Sequence, residues 1–201
     1  VDKACDIEGK TTYLPTKASA YFSKDGAKLA SADVTADYTN YGIPKKANAS
    51  IYAKPIKVEA SLEQKSESKY SAAVSITDET SGDNNLSVAC EAALSNGIDS
   101  YTDFDDCKVN SLKFTVTQSA MTITGTVDLQ TLNKINRPST TDINSSINFE
   151  VSYHNQKIGT LKVNDVGGDQ YLFIYYKDDT EENTSIYYDS FVNDIENILK
   201  K

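Results

Sequence analysis

The residues best suited to chemistry lie in one short stretch, CEAALSNGIDSYTDFDDC, which begins at Cys90 and ends at Cys107. Clustered carboxylates on a bent loop are typical calcium ligands, and two thiols separated by a short loop can form a disulfide. The stretch therefore has two interpretations, a cation-binding loop or a surface loop closed by a bridge. The candidate calcium ligands are Asp99, Asp103, Asp105 and Asp106.

These aspartates do not follow the EF-hand pattern, because the required glycine and the terminal glutamate are missing. Two acids can also serve as general acid and base in a small hydrolase, and Asp103, Asp105 and Asp106 are the candidates for that role. The simplest interpretation is a solvated acidic loop closed by a Cys90–Cys107 disulfide, which leaves Cys5 over. In an oxidising compartment such a bridge stabilises the fold by about 3 kcal/mol.

A second set of candidates is aromatic, since the chain has 13 tyrosines and no tryptophan. Tyrosine gives an amphipathic contact surface that suits recognition. We single out Tyr38, Tyr41 and Tyr52 as candidate binding residues. The alternative is that each is an ordinary strand residue.

The sequence contains few residues that could form a zinc site, a catalytic triad or a nucleotide site. His154 is the single histidine, and its flanks, SYHNQK, indicate a hairpin tip. No CxxC or HxxxH occurs, so neither a zinc site nor a Ser-His-Asp triad is expected. No GxGxxG or GxxxxGK motif indicates a nucleotide site.

The charge of the chain disfavours anionic partners. The formal net charge is -9, the isoelectric point is near 4.6, and the single arginine is Arg137. Such a molecule repels phosphate backbones, so no nucleic-acid partner is expected. No apolar run reaches the roughly 18 residues that a membrane-spanning helix needs, so no transmembrane segment is expected either.

The elements that must position these residues follow from a period of two in side-chain polarity, which indicates half-buried strands. The alternation is clear at 56–62, 70–76, 112–129 and 147–153. The turn at 154–156 indicates a hairpin. Residues 86–95 alternate like a strand and also suit a capped helix, and we favour the strand.

The apolar run at 171–176 predicts a strand inside a sheet. Residues 188–199 show helical spacing and predict an amphipathic helix. Together these elements predict an α+β fold, mainly antiparallel β-sheet built from hairpins with the C-terminal helix packed on the sheet. We expect one domain over residues 1–201, with a weak division near residue 109.

The C-terminal quarter resembles uncharacterised secreted or lipid-anchored proteins of gut Bacteroidetes. The resemblance rests on NFEVSYHNQKIGTLKVND, on YLFIYYKDDTEENTS and on YYDSFVNDIENILKK. The shared features are the turn at 155–157, Gly159 in the second strand, the turn at 178–180 and Phe191 in the helix. This resemblance implies an exported protein of the periplasm, the cell surface or the extracellular space, and it brings no catalytic residues.

We therefore expect a non-catalytic exported module that binds a glycan, a peptide or a protein. The chain is rich in sheet-forming pattern and poor in the side chains that nucleophilic, general-base and metal chemistry use most. The alternatives are a small hydrolase with paired carboxylates and a calcium-stabilised scaffold. No cofactor other than calcium is expected.

Overall fold

The structure is a computed structural model, and its described residues are 2–80, 86–99 and 103–185. The side chains of Phe104 and Asp105 are outside that description. The chain divides into two compact units, Val1–Ala120 and Met121–Lys201. The sequence predicts a weak division near residue 109. In the structure that residue starts the strand Val109–Gln118, and the boundary between the units comes after this strand, at Ala120.

The first unit begins with a hairpin of β1 (Asp2–Ile7) and β2 (Lys10–Pro15). Glu8 and Gly9 form its two-residue turn with φ of 53° and 76°, which is the left-handed backbone that such hairpins need. Seven further strands follow, each antiparallel to the next. They are β3 (Lys17–Lys24), β4 (Ala27–Tyr38), β5 (Pro44–Ala53), β6 (Ile56–Ser66), β7 (Lys69–Asp78), β8 (Leu86–Leu94) and β9 (Val109–Gln118). A single helical turn, α1 (Asp103–Asp106), precedes β9.

The register of β3 to β9 separates two faces. Because side chains alternate across a strand, partners in register share a face. One row joins Ala18, Val34, Ala49, Ala60, Val74, Val88 and Val116, and the next joins Ala20, Ala32, Ile51, Val58, Ile76 and Leu86. We call the face that carries these two rows the apolar face. The intervening residues, mostly Ser, Thr, Asp, Glu and Lys, form the polar face.

The second unit is a meander of five strands with two short helices. The strands are β10 (Met121–Asp128), β11 (Ile147–Tyr153), β12 (Gln156–Val166), β13 (Asp169–Tyr176) and β14 (Glu181–Asn183), and the helices are α2 (Leu129–Leu132) and α3 (Thr140–Ser146). Its core consists of Val151, Leu161 and Ile174, one from each of three neighbouring strands. Ile123, Phe149, Ile158 and Tyr176 pack around them.

Helix α3 starts at a capping box. The Ser139 hydroxyl accepts a hydrogen bond from the backbone amide of Asp142. The Asp142 carboxylate in turn accepts a hydrogen bond from the backbone amide of Ser139. This reciprocal pair satisfies two amides that the helix cannot bond itself. Near the other end of the helix, the Asn144 side chain makes two hydrogen bonds to the backbone of Val163. Its oxygen accepts from the Val163 amide at 2.7 Å, and its nitrogen donates to the Val163 carbonyl at 2.8 Å, which fixes α3 against β12.

The prediction of a mainly antiparallel sheet is confirmed. Residues 86–94 form a strand, and the predicted hairpin tip is the turn at His154 and Asn155, whose φ values are 48° and 61°. The predicted C-terminal helix at 188–199 lies outside the described residues. The structure adds five strands before residue 54 and the helices α2 and α3, which sequence reasoning did not identify.

Candidate functional site

Three residues that the sequence singled out separately meet at one place. Tyr38, Tyr41 and Asp99 line a single cleft of 230 Å³ in the first unit. We call it the tyrosine cleft. Its remaining lining residues are Lys3, Thr39, Asn40 and Lys45.

Thr39 holds the cleft together. Its side chain is buried, and its hydroxyl donates to the main-chain oxygen of Asp99 at 3.1 Å. The Thr39 hydroxyl oxygen also accepts hydrogen bonds from the backbone amides of Tyr41 and Ile43, at 3.2 and 3.1 Å. A buried hydroxyl with all its capacity used costs free energy to disturb, so the loop is held in one conformation.

The hairpin β1–β2 packs against the same loop. The amide of Asp6 donates to the oxygen of Asn40 at 2.7 Å, and the thiol of Cys5 lies 3.5 Å from the oxygen of Thr39. Gly42 has a φ of 81°, and a side chain there would contact Ile7 and Leu14 of the hairpin. Glycine therefore serves this turn both for its backbone conformation and for the space it leaves.

The segment that carries Asp99 is fixed from its other side. The hydroxyl of Tyr70 donates to the oxygen of Ile98 at 3.1 Å, and the carboxylate of Asp103 accepts the amide of Asp99 at 2.9 Å. Burial, followed by electrostatic interaction with Asp99 and Cys107, raises the pKa of Tyr70. The Tyr70 hydroxyl therefore stays protonated, and able to donate, to a higher pH than an ordinary tyrosine, whose pKa is near 10.

The side chains around the cleft offer both donors and acceptors. Lys3 forms an ion pair with Asp37 at 3.4 Å and donates to the carbonyl of Tyr38. The Tyr38 hydroxyl donates to the oxygen of Pro15 at 3.3 Å, which orients its ring. Tyr41 is 49% exposed, so its ring is available to a ligand. A partly exposed aromatic ring beside ammonium, amide and carboxylate groups suits a polar ligand that also has an apolar surface.

Tyr52, the third tyrosine we selected, lies elsewhere. It stands on the polar face of β5, and its hydroxyl donates to the Glu79 carboxylate at 3.1 Å. Desolvation and then the Glu79 carboxylate raise the pKa of Tyr52. This tyrosine flanks a second, larger concavity.

That concavity, which we call the hydroxyl trough, has a volume of 490 Å³ and runs across the polar face from β4 to β8. It forms because the two middle rows of this face carry mostly small side chains, with Glu59 as the long exception. The flanking rows carry long side chains, such as Tyr52 and Lys57 on one side and Lys46 and Glu63 on the other. Its polar-face residues are Asp33, Thr35, Asn48, Ser50, Glu59, Ser61, Ala73, Ser75, Ser87 and Ala89. Glu59 is already paired with Lys57 at 2.8 Å.

The four candidate calcium ligands do not form one cluster in the part of the chain with described side chains. Asp99 lines the tyrosine cleft, Asp103 bonds the backbone of Asp99, and Asp106 is exposed. Within those residues no group of three or more potential metal ligands occurs. The side chain of Asp105 is outside the description, so the calcium and hydrolase hypotheses for this loop remain predictions.

The candidate disulfide does not form in this structure. Cys5, Cys90 and Cys107 are all free thiols. Cys90 pairs with Phe114 in the middle of β8, whereas the β8–β9 pair ends at Leu94 and Val109, next to Cys107. Four residues of strand place Cys90 roughly 13 Å from that end, and a bridge needs Cα atoms within about 7 Å.

Sequence reasoning missed Lys3, Thr39, Asn40 and Lys45 as cleft residues. Lys3 reaches the cleft from a distant segment. The other three lie beside Tyr38 and Tyr41, but no local pattern shows that Thr39 bonds the chain at Asp99. The trough did have a local signal, namely polar or small residues at every second position of 48–50, 59–61 and 73–75, each range ending in a serine. The capping box Ser139-Thr140-Thr141-Asp142 was also visible in the sequence and marks the start of α3.

Comparisons with known proteins give no relative for this fold and site. No family model matches the chain, and no curated protein or solved structure matches it. Among the described residues no helix is long and apolar enough to cross a membrane.

Proposed function

We propose that this protein is a non-catalytic binding module that recognises a glycan through the tyrosine cleft. The observation that carries the proposal is the convergence of Tyr38, Tyr41 and Asp99 on one cleft that other side chains hold in place. The proposal includes an exported location, at the periplasm, the cell surface or the extracellular space, for which the resemblance of the C-terminal quarter is the support.

A sugar is the ligand class that this chemistry fits best. A sugar ring has one face of C–H groups that can lie on the exposed ring of Tyr41, and its hydroxyls can both donate and accept. The ammonium of Lys45 donates, the Asp99 carboxylate accepts, and the Asn40 amide does both. The mixture of charges around the cleft favours a neutral sugar over a strongly charged one.

The rigidity of the cleft supports binding as its role. Tyr41 and Asp99 are attached to one buried hydroxyl, that of Thr39, by hydrogen bonds to their backbones. A ligand that meets a preformed site pays little to order the protein, so a small contact area suffices for measurable affinity. The cleft contains Asp99 as its single carboxylate among the lining residues, whereas hydrolysis of a glycoside uses a pair.

The proposed architecture also includes the C-terminal amphipathic helix as a cover on the sheet of the second unit, to which residues 121–201 belong. Its support is the helical spacing of apolar residues at 188–199. A peptide or protein ligand at the same cleft is the alternative within the binding class, and it would use the same exposed tyrosine.

The proposal is tested by titrating the full chain with neutral oligosaccharides: cello-, xylo- and malto-oligosaccharides and oligomers of N-acetylglucosamine. Binding is followed by calorimetry and by chemical shifts of backbone amides. We expect one of these probes to bind, with the largest shifts at residues 38–45 and 96–99. Tyr41→Ala should weaken that binding about tenfold or more, since exposed aromatic anchors commonly contribute at least 1.4 kcal/mol.

The matched control is Tyr13→Ala, which removes an exposed tyrosine from β2 outside the cleft and should leave affinity unchanged. A second variant, Ser61→Lys, fills the hydroxyl trough. Loss of binding in Ser61→Lys with retention in Tyr41→Ala would move the site to the trough and refute the cleft. Absence of binding to every probe would refute the glycan assignment. Release of reducing sugar from a probe would show hydrolysis and would replace the binding module with the small hydrolase as the function.

A further inference from the structure

We propose that the apolar face of strands β3 to β9 is the interface of a face-to-face dimer of this chain. This inference concerns a different surface from the tyrosine cleft and does not rest on the proposed function. It starts from large hydrophobic side chains that remain exposed on that face, at between 37% and 61% of their surface. These are Phe22, Val34, Ile51, Ile56, Val74, Ile76 and Val88.

The register places these side chains together. Val34, Val74 and Val88 lie in one row, and Ile51 and Ile76 lie in the adjacent row. Alanines and other aliphatic residues complete both rows, except at Gln118, which pairs with Leu86 on β9. The exposed residues therefore form one continuous patch. Patches of this kind mark a surface that another molecule covers, whereas scattered single hydrophobic residues do not.

The size of the face matches what a stable dimer needs. Seven strands that each occupy about 4.8 Å cover roughly 34 Å, and four inward positions that each occupy about 6.7 Å of a strand cover roughly 27 Å. The product is roughly 900 Å² for each copy, close to the roughly 800 Å² that each partner contributes to a standard protein interface. Two such sheets stack about 10 Å apart with interdigitated side chains, and alternation of alanine with valine or isoleucine provides both projections and spaces.

The distribution of charge favours a second copy over a lipid surface. Neither central row of the apolar face contains a charged residue. Lys46, Lys57 and Lys113 all fall on the opposite, polar face. Binding to a membrane surface usually combines apolar residues with basic residues beside them, and the chain as a whole has a net charge of -9.

The charges on β3 favour stacking of faces over pairing of edges. β3 is the end strand of this meander, and lysines stand at its two ends, Lys17 and Lys24. Antiparallel pairing of β3 with its copy would place Lys17 opposite Lys24 twice, and like charges directly opposite are unfavourable. A face-to-face arrangement leaves both lysines in solvent.

The test is the mass of the full chain in solution, measured by sedimentation equilibrium from about 1 to 200 µM. We expect a concentration-dependent species of twice 22.0 kDa. We also expect it to strengthen as salt rises, because salt screens the repulsion between two acidic copies. Val88→Asp should raise the dissociation constant about tenfold or more, because it places a charge in the stacked face.

Ser87→Asp is the matched control. It adds the same charge one residue away, on the polar face, and should change the dissociation constant less than twofold. Ile51→Thr is a milder second variant that keeps a β-branched side chain and should also weaken the dimer. Circular dichroism checks that each variant folds.

A chain that stays monomeric at 200 µM in high salt overturns the proposal. So does equal weakening by Val88→Asp and Ser87→Asp, which would reflect charge alone. Co-sedimentation of a monomeric chain with neutral phosphatidylcholine vesicles, lost in Val88→Asp, would replace the second copy with a lipid surface.

Discussion

The hydroxyl of Thr39 donates a 3.1 Å hydrogen bond to the main-chain oxygen of Asp99 and so joins the loop after β4 to the loop after β8. Sixty residues of chain separate the two partners. We expect Thr39→Val to lower the free energy of unfolding by about 1–3 kcal/mol, since the oxygen of Asp99 and the amides of Tyr41 and Ile43 lose their partner. Urea denaturation measures this, with Thr39→Ser as the variant that keeps the hydroxyl. Equal stability of Thr39→Val and the unmodified protein would show that the hydroxyl does not organise the cleft.

Gly125 provides a test of close packing in the second unit. A side chain at this position would collide with the ring of Phe149 and with the main-chain oxygen of Asn148 on the neighbouring strand. Gly125→Ala should therefore destabilise the protein by about 1–3 kcal/mol, as overpacked substitutions do. The exposed neighbour Thr124→Ala is the control and should have little effect. The melting temperatures of the two variants, measured by thermal unfolding, test this prediction. Equal melting temperatures would contradict the packing argument.

Val151 and Val166 form a matched pair for the core. Val151 is 0% exposed between Leu161 and Ile174, whereas Val166 is 49% exposed at the end of β12. Val151→Ala removes two buried methyl-sized groups and leaves a small cavity, so we expect a loss of about 2 kcal/mol. Val166→Ala should cost less than about 0.5 kcal/mol. If chemical denaturation gave similar losses for both, the core would lie elsewhere.

The capping box of α3 predicts a dependence on acidic pH. The Ser139 hydroxyl, and then the Ser139 amide, lower the pKa of the Asp142 carboxyl. A carboxyl whose pKa is lowered by folding stabilises the fold above its unfolded pKa, near 3.9, and that stability is lost as the pH falls through the folded value. Ser139→Ala should return the pKa of Asp142 toward 3.9, as measured by its carboxyl chemical shift. It should also lower the free energy of unfolding by about 1 kcal/mol near neutral pH, because the cap is lost. An unchanged titration would show that the box does not form in solution.

Glu79 predicts a change in the titration of Tyr52. Desolvation raises the pKa of Tyr52, and the hydrogen bond and negative charge of Glu79 raise it further. Glu79→Gln should lower that pKa toward 10 while desolvation holds it somewhat above. Ring chemical shifts of labelled tyrosine follow the titration, and Tyr70 serves as the control because its raised pKa has other causes. No change in Tyr52 would mean that the bond to Glu79 is absent in solution.

The sequence by itself determined the strands whose polarity alternates and the face that each residue occupies. In a pleated strand successive side chains point to opposite faces, so Val58 and Ala60 or Val74 and Ile76 must share one face whatever their neighbours are. It also contained the local hydrogen-bonding signals, the turn at His154 and the capping box at Ser139, because these involve residues within four positions of one another.

The tertiary structure alone decided which distant residues meet. Register, set by the whole meander, places Cys90 in the middle of β8 and Cys107 beyond its end, although the sequence makes them the nearest pair of cysteines. The cleft exists because a buried hydroxyl at Thr39 bonds the chain at Asp99, a contact that no local pattern encodes. Alternation fixes the direction of a side chain, whereas proximity depends on the pairing of many strands at once, and that pairing brings the two tyrosines and the aspartate together.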